Sequence, residues 1–348
     1  MPVCLNGNAS SHDLLADTLC LGGKSPAEYQ ECAARCINIG LINNMPDAAL
    51  EATERQFLTL LDSAANGMLV RLSFYALPDV PRNGSGRRRI NRFYSGVESL
   101  WNSQLDGLIV TGREPRTPNL KDEPYWGSLT RVLEWAEDNT HSTVWSCLAA
   151  HAALLHMDGI ARRRSNEKRC GVFDCVRLSD HALMAGLSSR LKMPHSRWND
   201  IAEEELTACG YSVLTQAQDA GADTIVKRRN SLFVFFQGHP EYESDTLLLE
   251  YRRDVRRYLT GETDSYPSMP QSYFDKGTAD ALTALREKAM SCRREELLAD
   301  VAAAVDGKTI ARPWRLTAAR VYGNWLAYIC AQKERRLSRG RVATNAHG

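Results

Sequence analysis

From Ile37 onward the chain alternates short apolar runs with longer stretches in which apolar residues recur every three to four positions. Ile37 to Ile42 has the pattern of a buried strand, and Asn43-Asn44-Met45-Pro46-Asp47 turns the chain into a helix carrying Leu50, Phe57, Leu58 and Leu61. A second strand, Val70 to Leu77, closes a first βαβ unit. The alternation repeats with strand Gly107 to Thr111, helix Leu129 to Ala136, strand Ser142 to Ser146 and helix Leu148 to His156. Strands that read as unbroken apolar runs, separated by amphipathic helices, predict a doubly wound α/β fold, a mostly parallel sheet covered by helices on both faces. Sites in such sheets form beyond the carboxyl ends of the strands.

The pattern is weaker after Gly171, although Ser231 to Phe236 predicts a strand and Thr246 to Leu259 an amphipathic helix with Leu247, Tyr251, Val255 and Tyr258 inward. Ala279 to Val305, rich in Ala, Leu, Glu and Arg, predicts continuous helix. Residues 1–35 lack sustained periodicity and read as a loosely structured extension, with regular structure beginning at Ile37. The expected organisation is therefore an extension over 1–35, one domain over 36–330 with a helical insertion at about 276–308, and a basic tail over 331–348. Such a tail is commonly a disordered end.

Composition narrows the possible partners. Forty-three basic residues against forty-two acidic ones leave a formal charge of +1, which gives no electrostatic reason to expect nucleic acid or an anionic membrane. The longest apolar runs, such as Leu232 to Phe236, fall far short of a bilayer span, and the N-terminus lacks the features of a secretory signal, so a cytoplasmic location is expected. The ten cysteines are scattered through a chain too long to need disulfide staples, which favours free thiols. Cys32 and Cys36 have a spacing that zinc could use, but no second pair or histidine follows at a ligand-like interval, and no metal is expected.

Two segments carry chemistry. Cys147 stands between the strand Thr143-Val144-Trp145-Ser146 and the helix that begins at Leu148. A strand-to-helix elbow exposes its side chain at the carboxyl edge, at the positive end of a helix dipole that favours a thiolate. The amide of Leu148 would face a developing oxyanion. The second segment, Gly238-His239-Pro240-Glu241-Tyr242, follows the strand that ends at Phe236. His239 there can act as general base and Glu241 can orient it. A cysteine after a strand is commonly buried filler and a lone histidine commonly structural. Their joint occurrence at strand ends is what singles them out.

The chain also resembles the homoserine O-succinyltransferase family from about Ile37 to Ile329. The resemblance is carried by Asn44-Met45-Pro46 with Glu54, Gln56 and Phe57; by Asp106 to Gly112; by Tyr125-Trp126; and by Glu167-Lys168 with Gly171-Val172. Pro194-His195-Ser196-Arg197, Gly238 to Tyr242 with Arg253-Asp254, and Asn324-Trp325-Leu326 complete it in family order. The resemblance implies a sheet like that of class I glutamine amidotransferases, of flavodoxin-like type. It implies that Cys147 takes an acyl group, with His239 as base and Glu241 as its partner, and that Lys168, Ser196 and Arg253 line the substrate site. It further implies acyl-CoA and homoserine as substrates, no cofactor, a place in methionine biosynthesis, and a homodimer. A cation and a guanidinium suit an amino-acid carboxylate.

The chain departs from the family pattern in three places. Leu148 and His151 stand where members often have an aromatic residue and a glutamine, and Ala279 to Val305 reads as an insertion. An ungapped reading of Thr111 to Trp126 puts Arg116 at the position associated with donor choice, where it favours succinyl over acetyl by attracting a free carboxylate. Other readings remain open: acetyl transfer, a serine-like acceptor, a glutamine amidotransferase-like hydrolase, or a non-catalytic homologue.

Overall fold

The computed structural model describes residues 3–5, 36–308 and 310–345, with side chains as far as residue 338. One eleven-stranded sheet organises them. Its strands are β1 (Val3–Leu5), β2 (Ile37–Ile42), β3 (Val70–Ala76), β4 (Ser95–Gly96), β5 (Gly107–Thr111), β6 (Ser142–Ser146), β7 (Arg163–Arg177), β8 (Arg190–Asp200), β9 (Ser212–Ala217), β10 (Gly221–Arg228) and β11 (Leu232–Phe236). The spatial order is β1-β3-β2-β5-β6-β11-β10-β9-β7-β8, with β4 beside β3. Every ladder from β1 to β11 is parallel, and every ladder beyond β11 is antiparallel. The expected mixed α/β sheet, mostly parallel, is therefore present.

Alternation along the central strands sorts their side chains between two cores. Leu108, Val110, Trp145, Phe233 and Phe235 face one core with helices α1 (Trp126–Asn139) and α2 (Leu148–Asp158). Ile109, Val144, Leu232, Val234 and Phe236 face the other, with α3 (Leu50–Ala64) and α4 (Arg315–Asn345). Because both faces are covered, these strands have no solvated side and read as uninterrupted apolar runs. A third core is built by α5 (Thr246–Leu259), α6 (Lys276–Ser291) and α7 (Leu297–Val305) around Tyr251, Val255, Leu282 and Trp314.

Several expectations are corrected. Val3–Leu5 forms an edge strand on β3, so regular structure begins before Ile37; the remainder of the 1–35 extension, including Cys32, lies outside the described residues. The stretch Ala279 to Val305 is two helices broken at Cys292, whose backbone is extended at φ −149° and ψ 98°. The break lets α7 fold back on α6 and α5, so both helices bury apolar residues in the third core. The basic tail is the continuation of α4 as far as Asn345 rather than an unstructured end. Among the described residues no helix is long and apolar enough to cross a membrane.

Candidate active site

Cys147 follows β6 directly and serves as the N-cap of α2. Its backbone adopts φ 50° and ψ −112°, a conformation that L-residues rarely occupy, and non-glycine residues held there carry local strain. Two interactions hold the turn: Cys147 N–H donates to Phe236 O at 2.7 Å, and Cys147 O accepts from His151 N–H at 3.3 Å. The first bond extends the β6–β11 ladder, in which Ser146 pairs with Phe236, by one residue. The amide of Leu148, in the first turn of α2, has no intrahelical acceptor and is free to donate elsewhere.

Gly112 packs against this elbow. A Cβ added to it would lie 2.6 Å from Leu148 Cβ, 2.7 Å from Leu148 N and 2.8 Å from Ala149 N. Only glycine lets the Thr111-Gly112 turn approach so closely.

His239 leaves the end of β11 on a turn fixed by His239 N–H donating to Pro194 O at 2.8 Å. Its Nδ1 lies 2.9 Å from Glu241 Oε1, which also accepts from Ser146 Oγ at 3.4 Å. His239 and Glu241 are both buried. His239 Nε2 makes no hydrogen bond of ordinary geometry among the described residues, yet its ring interacts with the Cys147 side chain. Burial works against the charged ring, but the Cys147 sulfur and the Glu241 carboxylate overcome it and hold the His239 pKa well above the ordinary histidine value. The arrangement favours the charged imidazolium form of His239.

A second polar group adjoins through Tyr242. Its ring stacks on His239 with centroids 4.2 Å apart, and its hydroxyl donates to Glu250 Oε1 at 2.5 Å. Glu250 Oε2 accepts from Ser196 Oγ and lies 3.7 Å from Lys168 Nζ. Lys168 also donates to Asp254 Oδ2 at 2.8 Å, and Arg253 Nε to Asp254 Oδ1 at 2.9 Å. Burial opposes the charge on Lys168, but Glu250, Cys170 and Asp254 outweigh it and raise its pKa. Lys168, Ser196 and Arg253 are thus brought together around Glu250 and Asp254, though Arg253 keeps 43% of its side chain exposed.

Sequence reasoning missed Glu250, which joins Lys168 and Ser196 to the histidine turn. Its available signal was the polar stripe Glu250, Arg253, Asp254, Arg257 along α5, at helical spacing. A buried network below the histidine was also missed. His195 Nε2 faces Asp223 Oδ1 at 3.3 Å, and Asp223 accepts from Thr215, Thr224 and the Gly238 amide. Burial pushes the His195 pKa far down, so the ring is neutral. His151, one turn along α2, is buried with Nδ1 unpartnered among the described residues. Burial, with Arg197 and Arg162 adding to it, pushes its pKa down to about 3. Arg116 is exposed on the loop after β5, where its backbone amide donates to Glu123 Oε1 at 2.5 Å.

Cys147, Cys170, Cys175, Cys209, Cys292 and Cys330 are free thiols. Among the described residues no cluster of His, Cys, Asp and Glu could hold a metal ion.

Comparison with known proteins gives a consistent result. The homoserine O-succinyltransferase of Rhodopseudomonas palustris is 48% identical over 303 residues, covering 87% of this chain and 91% of its own. That of Methylorubrum extorquens is 42% identical, covering 91% and 94% respectively. A solved glutamine amidotransferase from Methylobacillus flagellatus superposes with a TM-score of 0.47 at 14% identity, covering 84% of this chain and 95% of that one. The sequence model of the homoserine O-succinyltransferase family matches residues 2–336, and with relatives of this identity and coverage the chain belongs to that family of acyltransferases.

Proposed function

We propose that the chain moves a succinyl group from succinyl-CoA to the hydroxyl of homoserine through an acyl-Cys147 intermediate, as a step of methionine biosynthesis. The carrying observation is that Cys147 and the His239–Glu241 pair leave the ends of the adjacent strands β6 and β11, with His239 coupled electrostatically to the sulfur.

In the first half-reaction the Cys147 thiolate attacks the thioester carbonyl, and the Leu148 amide donates to the oxyanion that forms. Collapse breaks the carbon–sulfur bond to CoA, and the departing thiolate takes the proton held by His239. In the second half-reaction His239 Nε2 accepts the proton of the homoserine hydroxyl as its oxygen attacks the acyl-cysteine. Collapse then expels the Cys147 thiolate and restores the ion pair. One thioester is exchanged for another and then for an oxygen ester, so the proposed chemistry needs no metal or prosthetic group.

Glu250 and Asp254 suit the ammonium of the acceptor, and Lys168 and Arg253 suit its carboxylate. A homodimer, implied by the family resemblance, and a cytoplasmic location, expected from the sequence, complete the proposal. The test is intact-mass spectrometry after mixing with succinyl-CoA or acetyl-CoA without acceptor. The expected outcome is addition of one succinyl group, on the peptide containing Cys147, that is removed by homoserine. An unmodified protein that still turns over would defeat the covalent route, and preferential acetylation would defeat the donor assignment.

A further inference from the structure

The loop after β5 carries more positive charge than its protein partners use. Arg113 follows Gly112 directly and therefore leaves the chain where it presses on the nucleophile elbow. Its Nε and Nη1 are both buried and have no hydrogen-bond partner among the described residues. A guanidinium in that condition has given up water without replacing it, an arrangement that costs free energy unless something else fills the fork.

The neighbouring carboxylate does not fill it. Glu123 Oε1 is occupied by the backbone amides of Arg116, at 2.5 Å, and Thr117, at 2.8 Å, and by the Thr117 hydroxyl, and Glu123 Oε2 is buried without making a hydrogen bond to either guanidinium. Arg162 reaches the same loop by donating Nη2 to Pro118 O at 2.9 Å, and its Nη1 is likewise buried and unpartnered. Arg113 and Arg162 both interact electrostatically with Glu123 and Tyr125. Arg162 also acts on His151, one helical turn from Cys147. Three arginines, Arg113, Arg116 and Arg162, thus stand about one carboxylate. The local charge is positive, and two of the guanidiniums hold buried, unpaired donors.

We propose that Arg113, assisted by Arg162, binds the free carboxylate of the acyl group carried on Cys147, so that these residues rather than the exposed Arg116 select a dicarboxylic donor. The inference rests on the acyl-cysteine reading given above. In a succinyl group the free carboxylate stands three carbon–carbon bonds from the reacting carbonyl, which calls for a cation at the wall of the nucleophile elbow and not at a distance. Nε–H and the Nη1 hydrogens lie on different edges of the Arg113 guanidinium, so each free donor meets a carboxylate oxygen singly, in a charge-assisted bond. Burial of those donors strengthens discrimination, because an uncharged acyl chain would leave them unpaired.

The test compares succinyl-CoA with butyryl-CoA, which has the same chain length without the charge, by CoA release at saturating homoserine. Wild type, Arg113→Met, Arg113→Lys and Arg116→Met are the proteins compared. Arg113→Met is expected to lower kcat/KM for succinyl-CoA by roughly 10- to 100-fold while leaving butyryl-CoA unchanged or improved. Arg113→Lys, which keeps the charge but not the fork, should fall between, and Arg116→Met should retain the succinyl preference. Equal loss on both donors would mark Arg113 as a contact to CoA or to the fold and overturn the proposal. So would a selective loss in Arg116→Met alone. A wild-type protein that forms no acyl-enzyme with either donor overturns the acyl-cysteine reading itself, a result distinct from wild-type turnover that ignores the charge of the acyl chain.

Discussion

At the scale of single residues, the strained backbone of Cys147 and the raised pKa of His239 organise the site. Residues held at unusual φ and ψ carry about 1–3 kcal/mol of strain, and glycine relieves it. Cys147→Gly should therefore be more stable than Cys147→Ala by about 1 kcal/mol, the reverse of the order at an ordinary position, since both lack the thiol. Denaturant unfolding of the two variants measures this. Removing the Glu241 charge should act through His239. Burial already disfavours the imidazolium, so loss of one of the two groups that overcome it lowers the His239 pKa. In Glu241→Gln the high-pH limb of activity should move to lower pH, with a reduced kcat. The sign for stability follows from the same shift. A folded-state pKa above the unfolded value of about 6.5 gives a contribution that is full below that pH. It is lost as pH rises through the raised value. A pH profile whose limb does not move in Glu241→Gln would remove this account.

At the scale of elements, what the sequence made legible follows from burial. The parallel strands were readable because both of their faces are covered, which leaves runs such as Leu-Phe-Val-Phe-Phe in β11. The bounds of β2, β5 and β6 coincide with those read from the sequence pattern. The antiparallel half was not legible for the opposite reason. The first half of β7 is Arg-Arg-Ser-Asn-Glu-Lys-Arg, largely exposed, and its core-facing residues begin only at Cys170. The strand is held by pairing with β8 from Arg163 to Val176, a tertiary fact with no local signature. The break between α6 and α7 was hidden likewise, because Arg293 to Glu296 are good helix formers overruled by packing. Cys147 could be singled out because it directly follows a readable strand, and His239 because it stands three residues beyond the end of another. Glu250 was hidden because a polar stripe on an amphipathic helix looks like a solvated face, and burying it required the turn that carries Tyr242.

At the scale of the whole molecule, the third core supports the acceptor side of the site. Trp314, fully buried, donates Nε1 to Tyr242 O at 2.9 Å, and Tyr242 in turn stacks on His239. Trp314→Phe leaves that buried carbonyl unsatisfied and should cost about 1–3 kcal/mol of stability. Because Tyr242 also holds Glu250, the same change should raise the KM for homoserine while Cys147 is still acylated at a near-normal rate. Stopped-flow measurement of each half-reaction separates the two effects, and an equal loss in both would show that the tryptophan supports the fold alone.

The seam where the sheet changes from parallel to antiparallel has a consequence for how such a protein can diversify. In the proposed mechanism the attacking atom and the proton carrier hang from two strands zipped together, β6 and β11, so their spacing is as stiff as the sheet. On the proposed reading the donor-side arginines come from the loop after β5 and the segment before β7, whereas the acceptor-side polar groups come from β7, β8 and α5. On that reading the donor wall beyond Gly112 is the one that can be exchanged with least effect on the reactive pair, and swapping the 113–125 loop between relatives is the economical way to transplant a preference for one acyl chain over another.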